Sequence, residues 1–357
     1  MQNWTIISVR VIQSITERIA DQHMKLAKSA NALAGHNAGD AKFASVERYS
    51  SVARTVEILS DAWGFLVLRE CFFGVRRFEQ FQALLQVPRT TLVQRLTKLT
   101  ELGILTKVPV GGRHEYRFTD AGRDLYPTML SLLAFGDKWL AGDGLPPLQL
   151  FHKSCGHSCS PRVACSHCNQ SIEAKRVRYR DGPGAGSEVR TEVRKRSRRT
   201  SDPAVLERVR PCSVARTLQI IGDRWSFLVI REFFYGVRRF DEFQSRLGIA
   251  TNILADRLQR LTEEGVITKR QYQERPARFE YLMTEMGIDL YGAMLVMMRW
   301  GDKWLSGGKP PLTLRHSDCD HDFYAKVVCT QCGEELNPRD VSYTLRYQLN
   351  APLSAAA

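Results

Sequence analysis

Apolar positions in the stretch from 213 to 305 recur first at helical and then at alternating spacing. Val214, Leu218 and Ile221 share one helical face, and Trp225, Leu228, Val229, Phe233 and Phe234 continue at mixed three and four spacings, which predicts two helices. Gly236 stops the second. Arg239-Phe240-Asp241-Glu242-Phe243 then opens a short third helix with Phe240, Phe243 and Leu247 facing inward. Thr251, as N-cap, begins a fourth that carries Leu254, Leu258 and Leu261 and ends at Gly265. Val266-Ile267-Thr268-Lys269 and Phe279-Glu280-Tyr281-Leu282 read as two short strands, joined by Gln273-Glu274-Arg275-Pro276-Ala277-Arg278. A long apolar helix, roughly Asp289 to Leu305, closes the module. Helix, short helix, helix and β-hairpin in that order predict a winged helix-turn-helix.

The same pattern stands earlier in the chain. Ser51 to Lys107 and Ser213 to Lys269 agree at 31 of 57 positions without a gap. After a three-residue insertion in the second copy, Arg113, Glu115, Tyr116, Thr119 and Gly136-Asp137-Lys138-Trp139-Leu140 recur as Arg278, Glu280, Tyr281, Thr284 and Gly301-Asp302-Lys303-Trp304-Leu305. A repeat this long is a whole domain, not a solenoid unit.

A third repeated stretch carries metal-ligand chemistry. His152, Cys155, Cys165 and Cys168 recur as His316, Cys319, Cys329 and Cys332, an H-x2-C-x9-C-x2-C pattern in each copy. A C-x2-C pair places two thiolates in one knuckle, and a second short pair supplies the other ligands of a tetrahedral Cys3His site, for which Zn²⁺ is the natural ion. Two structural zinc sites are expected, one in each tail. His157 and His321 are also reproduced, so which histidine ligates is open; the two-residue gap favours His152 and His316. The expected fold class is mostly α with small β-hairpin wings: two winged helix-turn-helix domains, each followed by a small zinc-ribbon-like tail. The boundaries are an N-terminal extension 1–45, domain 46–141, tail 146–172, basic linker 173–210, domain 211–306, tail 310–337 and C-terminal tail 338–357. In the extension, Val11, Ile12, Ile15 and Ile19 suit an amphipathic helix that the Gly35–Asp40 stretch interrupts.

Length and charge narrow the function. The 357 residues, 43% of them apolar, suffice for two ordinary cores. No apolar run approaches the roughly 18 residues of a membrane span, and the first 30 residues lack the apolar centre of a secretory signal. A cytoplasmic, nucleoid-associated protein is expected. The net charge of +13 points to nucleic acid, because Lys and Arg that neutralise phosphates release condensed counterions. About half of that excess sits in the segment 173–210, which includes Asp181-Gly182-Pro183-Gly184 and Arg194-Lys195-Arg196-Ser197-Arg198-Arg199 and reads as a flexible basic linker. No Gly-rich phosphate loop, Ser/His/Asp spacing or paired acids in a motif context indicate an enzyme.

Cys212-Ser-Val-Ala-Arg216, Ile221-Gly-Asp-Arg-Trp225, Gly236-Val-Arg-Arg-Phe240-Asp-Glu-Phe243, Leu254-Ala-Asp-Arg-Leu258, Glu264-Gly-Val-Ile267 and Phe279-Glu-Tyr-Leu-Met-Thr284 closely resemble the HxlR family of bacterial winged-helix regulators. The first copy carries the set more weakly, as Leu59-Ser-Asp-Ala-Trp63, Leu92-Val-Gln-Arg-Leu96 and His114-Glu-Tyr-Arg-Phe-Thr119. The resemblance implies a sequence-specific transcriptional regulator, a repressor, whose partner is double-stranded DNA. Members of that family bind as two-fold homodimers through their terminal helices, so the tandem chain would be a monomeric pseudo-dimer, with higher oligomers left open. Fusion lets two halves diverge, which a homodimer cannot do.

Candidate DNA contacts follow from the winged-helix reading. Thr90, Thr91, Gln94 and Arg95 stand on the first recognition helix, and Thr251, Asn252, Arg257 and Gln259 on the second, suited to base edges or phosphate. Arg113, Arg275 and Arg278 stand at the wing tips, and Arg76, Arg77, Arg238 and Arg239 at a helix start. The apolar positions of the two recognition helices match while their outward positions differ. That fits two unlike half-sites and equally fits surface drift. Two other readings remain: a zinc-tail interaction or scaffold protein, and a redox regulator whose tail thiols close as disulfides under oxidation, to which Cys212 adds a candidate sensor because some HxlR-type regulators sense electrophiles through a cysteine in that region. The first copy has Ser50 there.

Overall fold

The computed structural model describes residues 44–59, 61–142, 144–191, 207 and 210–347. Its elements in chain order are β1 (Ala44–Arg48), α1 (Ser51–Leu59), α2 (Ala62–Phe72), α3 (Phe78–Leu85), α4 (Arg89–Glu101), β2 (Leu105–Val110), β3 (Arg113–Phe118), α5 (Asp120–Arg123) and α6 (Tyr126–Trp139). The first tail follows as β4 (Leu148–His152), β5 (His157–Cys159), β6 (Pro161–Cys165), β7 (Val177–Asp181) and β8 (Ser187–Thr191). The second copy has α7 (Ser213–Ile221), α8 (Arg224–Phe234), α9 (Phe240–Leu247), α10 (Thr251–Glu263), β9 (Ile267–Gln273), β10 (Arg278–Met283) and α11 (Glu285–Leu305). The last strands are β11 (Leu312–His316), β12 (His321–Phe323), β13 (Ala325–Cys329) and β14 (Val341–Leu345).

These residues form two compact units. The smaller holds the residues up to Tyr49, those from Ala185 to Thr191, and Leu228–Ile288. Here α10 buries Leu254, Leu258 and Leu261 at helical spacing, and the ring of Phe243 from α9 is fully buried and 4.8 Å from that of Phe233. The strands β9 and β10 form the wing, antiparallel from Met283 opposite Ile267, with an irregularity between Arg278 and Phe279. β1 pairs with β8 at its edge. The helix begins at Thr251 with Ala250 as its N-cap, one residue earlier than expected; the Thr251 hydroxyl instead accepts from Gln244 Nε2 at 2.8 Å.

The larger unit holds the first winged helix-turn-helix whole. α4 buries Leu92, Leu96 and Leu99, and Gly74, at φ 90°, makes the left-handed turn that ends the preceding helix pair. Gly111 and Gly112, both at positive φ, form the two-residue turn of the β2–β3 wing.

Around this domain the two copies exchange helices. α7, from the second copy, packs along α6 of the first: Thr217 Oγ1 donates to the Leu132 carbonyl at 2.8 Å, Arg216 Nη1 to the Leu140 carbonyl at 3.2 Å, and Ser213 Oγ to Asp137. α1 repeats the arrangement on α11. Thr55 Oγ1 donates to the Met297 carbonyl at 3.1 Å, Arg54 Nη1 to the Leu305 carbonyl at 3.2 Å, and Ser51 Oγ lies 3.1 Å from Ser306 Oγ. The helices cross closely because Gly136 and Gly301 stand at the crossings; a Cβ there would lie 2.2 Å from the Ser213 carbonyl oxygen and 2.5 Å from that of Ser51. Farther along, Trp139 Nε1 donates to Asp289 at 2.8 Å and Trp304 Nε1 to Asp124 at 3.0 Å, equivalent residues again.

The tails exchange strands in the same way. The β4–β5 hairpin gains β14 as a third strand, and the β11–β12 hairpin gains β7. Each hairpin is thus completed by the segment that follows the other copy. β6 and β13 pair antiparallel with Val163 opposite its own equivalent, Val327, the geometry of a local two-fold axis. Two expectations change here. Val177–Asp181 and Ser187–Thr191 form strands, not loose linker, while the basic run Arg194–Arg199 lies outside the described residues. The segment after 337 supplies β14, and the apolar positions of the N-terminal extension lie outside the described residues.

Candidate nucleic-acid interface and metal centres

The first candidate surface is α4 with the β2–β3 wing. Pro88 precedes the helix without a side-chain cap, so the first-turn N–H groups of Arg89, Thr90 and Thr91 have no capping hydroxyl or carboxylate. Thr90 and Gln94 are exposed, Thr91 partly so, and Arg113 stands exposed at the wing turn. Arg76 is exposed; Arg77 occupies the N-cap position of α3 and lies 3.6 Å from Glu115 Oε1. The structure adds Arg89, exposed at the leading end of α4 with its guanidinium 4.6 Å from the Phe78 ring centre. Its signal was a basic residue directly after the proline that opens the helix.

Arg95 is placed differently from the expectation. Its guanidinium pairs with Asp61, the N-cap of α2, whose carboxylate also accepts from the Gly64 N–H. That ion pair fastens α4 to the start of α2.

In the smaller unit the second surface is α10 with the β9–β10 wing. Thr251 and Asn252 are exposed at a helix start that lacks a side-chain cap, and Gln259 is exposed but donates to Glu263 at 2.8 Å. Arg257 is largely buried and pairs with Asp256. Arg275 and Arg278 are exposed at the wing. Arg239 stacks 4.9 Å over Tyr272, and Arg238 is half-buried, its carbonyl accepting from the Tyr281 N–H at 2.8 Å.

The eight tail ligands gather into two tetrads, but not tail by tail. His152 and Cys155 meet Cys329 and Cys332, while Cys165 and Cys168 meet His316 and Cys319. The physical reason is the β6–β13 pairing, which ends each C-x2-C knuckle beside the H-x2-C turn of the other copy. Two independent zinc-ribbon-like tails are therefore not what the chain builds. His152 and His316 are 1% and 0% exposed and point Nδ1 at the thiols. His157 and His321 stay outside both tetrads; His321 stacks on His167, ring centres 3.6 Å apart.

Cys212 is buried at the start of α7, its N–H donating to Glu207 Oε1 at 2.8 Å. The Arg69 guanidinium lies against its thiol, beside a buried cluster in which Glu70 accepts from Arg69 and, at 2.7 Å, from Arg210. Among the described residues, no helix is long and apolar enough to cross a membrane.

A family model described as HxlR-like helix-turn-helix matches residues 58–143 and 220–309. An uncharacterized HTH-type transcriptional regulator of Mycobacterium tuberculosis (strain CDC 1551 / Oshkosh) is 45% identical over 137 residues, 38% of this chain and 87% of the relative. The HTH-type transcriptional regulator YdeP of Bacillus subtilis (strain 168) is 35% identical over 94 residues, 26% of this chain and 73% of the relative. Among solved structures, the reduced form of the transcriptional regulator YodB from B. subtilis is 27% identical, covering 26% of this chain and 90% of that one at a TM-score of 0.24. The redox regulator HypR in its oxidized form is 31% identical, covering 26% of this chain and 96% of that one at a TM-score of 0.25.

Proposed function

Because the chain belongs to the HxlR-like helix-turn-helix family, we propose that it is a sequence-specific DNA-binding repressor that works as a covalent pseudo-dimer. α4 and α10 each enter a major groove, reading base edges with Thr90, Gln94, Asn252 and Gln259. Arg113, Arg275 and Arg278 hold phosphate or minor groove from the wings. The uncapped starts of α4 and α10 support this, since free N–H groups at a helix N-terminus favour phosphate. Zn²⁺ in the two Cys3His tetrads is structural, because four protein ligands leave no position for substrate. The protein acts in the cytoplasm, on the nucleoid.

The observation that carries the pseudo-dimer is the reciprocal packing of terminal helices, α7 on α6 and α1 on α11, through equivalent residues. Two-fold homodimers make such isologous contacts between chains; here one chain supplies both sides. Genome-wide footprinting of the tagged protein, followed by native mass measurement of the complex, tests the reading. One chain on one duplex with two unlike half-sites is expected, and deletion of the gene should raise transcription next to that site. A palindrome occupied by two chains, or no site at all, would count against it.

A further inference from the structure

We propose that each zinc centre is shared between the repeats, so that the two ions are clasps that close only when both copies are in place. The inference rests on the structural-zinc reading above and is independent of the DNA reading.

The edges of each tetrad fit one ion. A tetrahedral centre with Zn–S bonds of about 2.3 Å and Zn–N bonds of about 2.0–2.1 Å requires S···S edges of about 3.8 Å and S···N edges of about 3.5 Å. In the first tetrad His152 Nδ1 lies 3.6 Å from Cys155 Sγ and 3.3 Å from Cys332 Sγ, and Cys155 Sγ lies 4.0 Å from Cys329 Sγ. In the second, His316 Nδ1 lies 3.6 Å from Cys319 Sγ and 3.3 Å from Cys168 Sγ, and Cys165 Sγ lies 4.0 Å from Cys319 Sγ. Two sites assembled from different segments repeat the same edges. Each of the eight residues belongs to one tetrad, and Cys319 lies also beside the exposed pair His167 and His321.

The surroundings hold these ligands ready. Gly156 and Asp320 N–H groups donate to the His152 and His316 carbonyls at 2.8 Å, closing the H-x2-C turns. Asn169 and Gly333 N–H groups donate to the Cys165 and Cys329 carbonyls at 2.9–3.0 Å, closing the C-x2-C knuckles. Asn169 Nδ2 then reaches the Gly333 carbonyl at 3.0 Å and links one knuckle to the other. His316 Nε2 is buried without a hydrogen-bond partner, 3.7 Å from Asp318 Oδ2, which is itself held by Arg176 at 2.6 Å. Each half-site alone offers two ligands, too few for a closed tetrahedral centre. A single repeat therefore cannot complete either site from the turn and knuckle that this fold gives to opposite copies.

Metal stoichiometry of paired variants decides the matter, because the two ways of grouping eight ligands predict opposite counts. The full chain should bind two Zn²⁺. C155S/C165S removes one ligand from each shared centre and should lose both ions, whereas C165S/C319S damages a single centre and should retain one. One ion in the first variant and none in the second is the pattern of separate tails and would overturn the proposal. A full chain that binds no zinc would overturn it too.

Histidine replacements keep a ligand at each position if the serine variants fail to fold. With Co²⁺ as the probe, C155H/C165H should give two equivalent Cys2His2 spectra, with thiolate-to-cobalt absorption reduced equally at both ions. C165H/C319H should give one unaltered Cys3His spectrum beside one of a single thiolate. The reverse assignment would sink the proposal.

Discussion

Val163 and Val327, equivalent residues of the two repeats, face each other across the β6–β13 pair. A residue opposite its own counterpart is possible only on a two-fold axis, so the fused tails meet as two identical chains would. The two valines are not equally placed: Val327 is 0% exposed and Val163 is half-buried against Gly292. Val327→Asp puts an unpaired carboxylate in the buried position and should cost several kcal/mol. Val163→Asp should cost clearly less. Chemical denaturation of both variants measures the difference, and equal losses would contradict this account of the axis.

Gly301→Ala and Gly136→Ala probe the helix crossings. Alanine gains about 1 kcal/mol over glycine in helix propensity, yet its methyl would lie 2.5 Å or 2.2 Å from a carbonyl oxygen of the crossing helix. Overpacking of that kind typically costs 1–3 kcal/mol and wins over propensity. Thermal unfolding should show both variants less stable than the parent. A stabilised Gly301→Ala would mean that α1 moves away freely.

Asp137 and Asp302 make the same interface sensitive to pH. Burial pushes each carboxyl up to about 6, against the opposing pull of the Ser213 hydrogen bond and of Arg216 and Arg346 at Asp137, and of the Ser51 hydrogen bond at Asp302. The folded state then binds protons that the unfolded state has released between about pH 4 and 6, so these groups make stability fall as pH rises through that window. Asn in place of both removes this dependence. Relative to the parent, D137N/D302N should gain unfolding free energy as pH rises from about 4 to 6, by up to a few kcal/mol after solvent screening. Loss of the hydrogen bonds offsets part of that gain equally at all pH values, so the pH dependence is the diagnostic.

On the proposed function, Arg113 and Gln94 separate phosphate contact from base contact. Arg113→Ala should weaken binding to all duplexes alike and reduce the slope of log K against log salt by about 1. Gln94→Ala should leave the slope alone and relax preference at one base pair, by about 1–3 kcal/mol. Fluorescence anisotropy over a salt series reads both. Arg95→Ala serves as the contrast: its ion pair with Asp61 is internal, so it should lower stability with the salt slope unchanged.

The helices and wings were legible because their signals are local. Leu92, Leu96 and Leu99, or Gly111 and Gly112, need only their neighbours to be understood, and all eight members of the tetrads followed from short spacings. The grouping of those eight was not legible. Within-tail and cross-tail tetrads use the same H-x2-C and C-x2-C pieces, and only the register of β6 on β13 tells them apart. Strands β7 and β14 were hidden for a related reason: each shows mostly exposed polar residues, such as Arg178, Arg180, Ser342 and Thr344, and is held by backbone pairing to a partner far along the chain. The ion pair of Arg95 was hidden because its partner Asp61 precedes another helix, beyond the reach of periodicity.

The interleaved tetrads also bear on how the polypeptide is born. His152 and Cys332 are 180 residues apart and Cys165 and Cys319 are 154 apart, so neither pocket of ligands exists until nearly all of the chain has left the ribosome. Closing loops of that length is paid for late and slows folding. Until then the first hairpin and its knuckle wait with unpaired strand edges and free thiols, the condition in which a nascent protein is most open to mispairing with a neighbour.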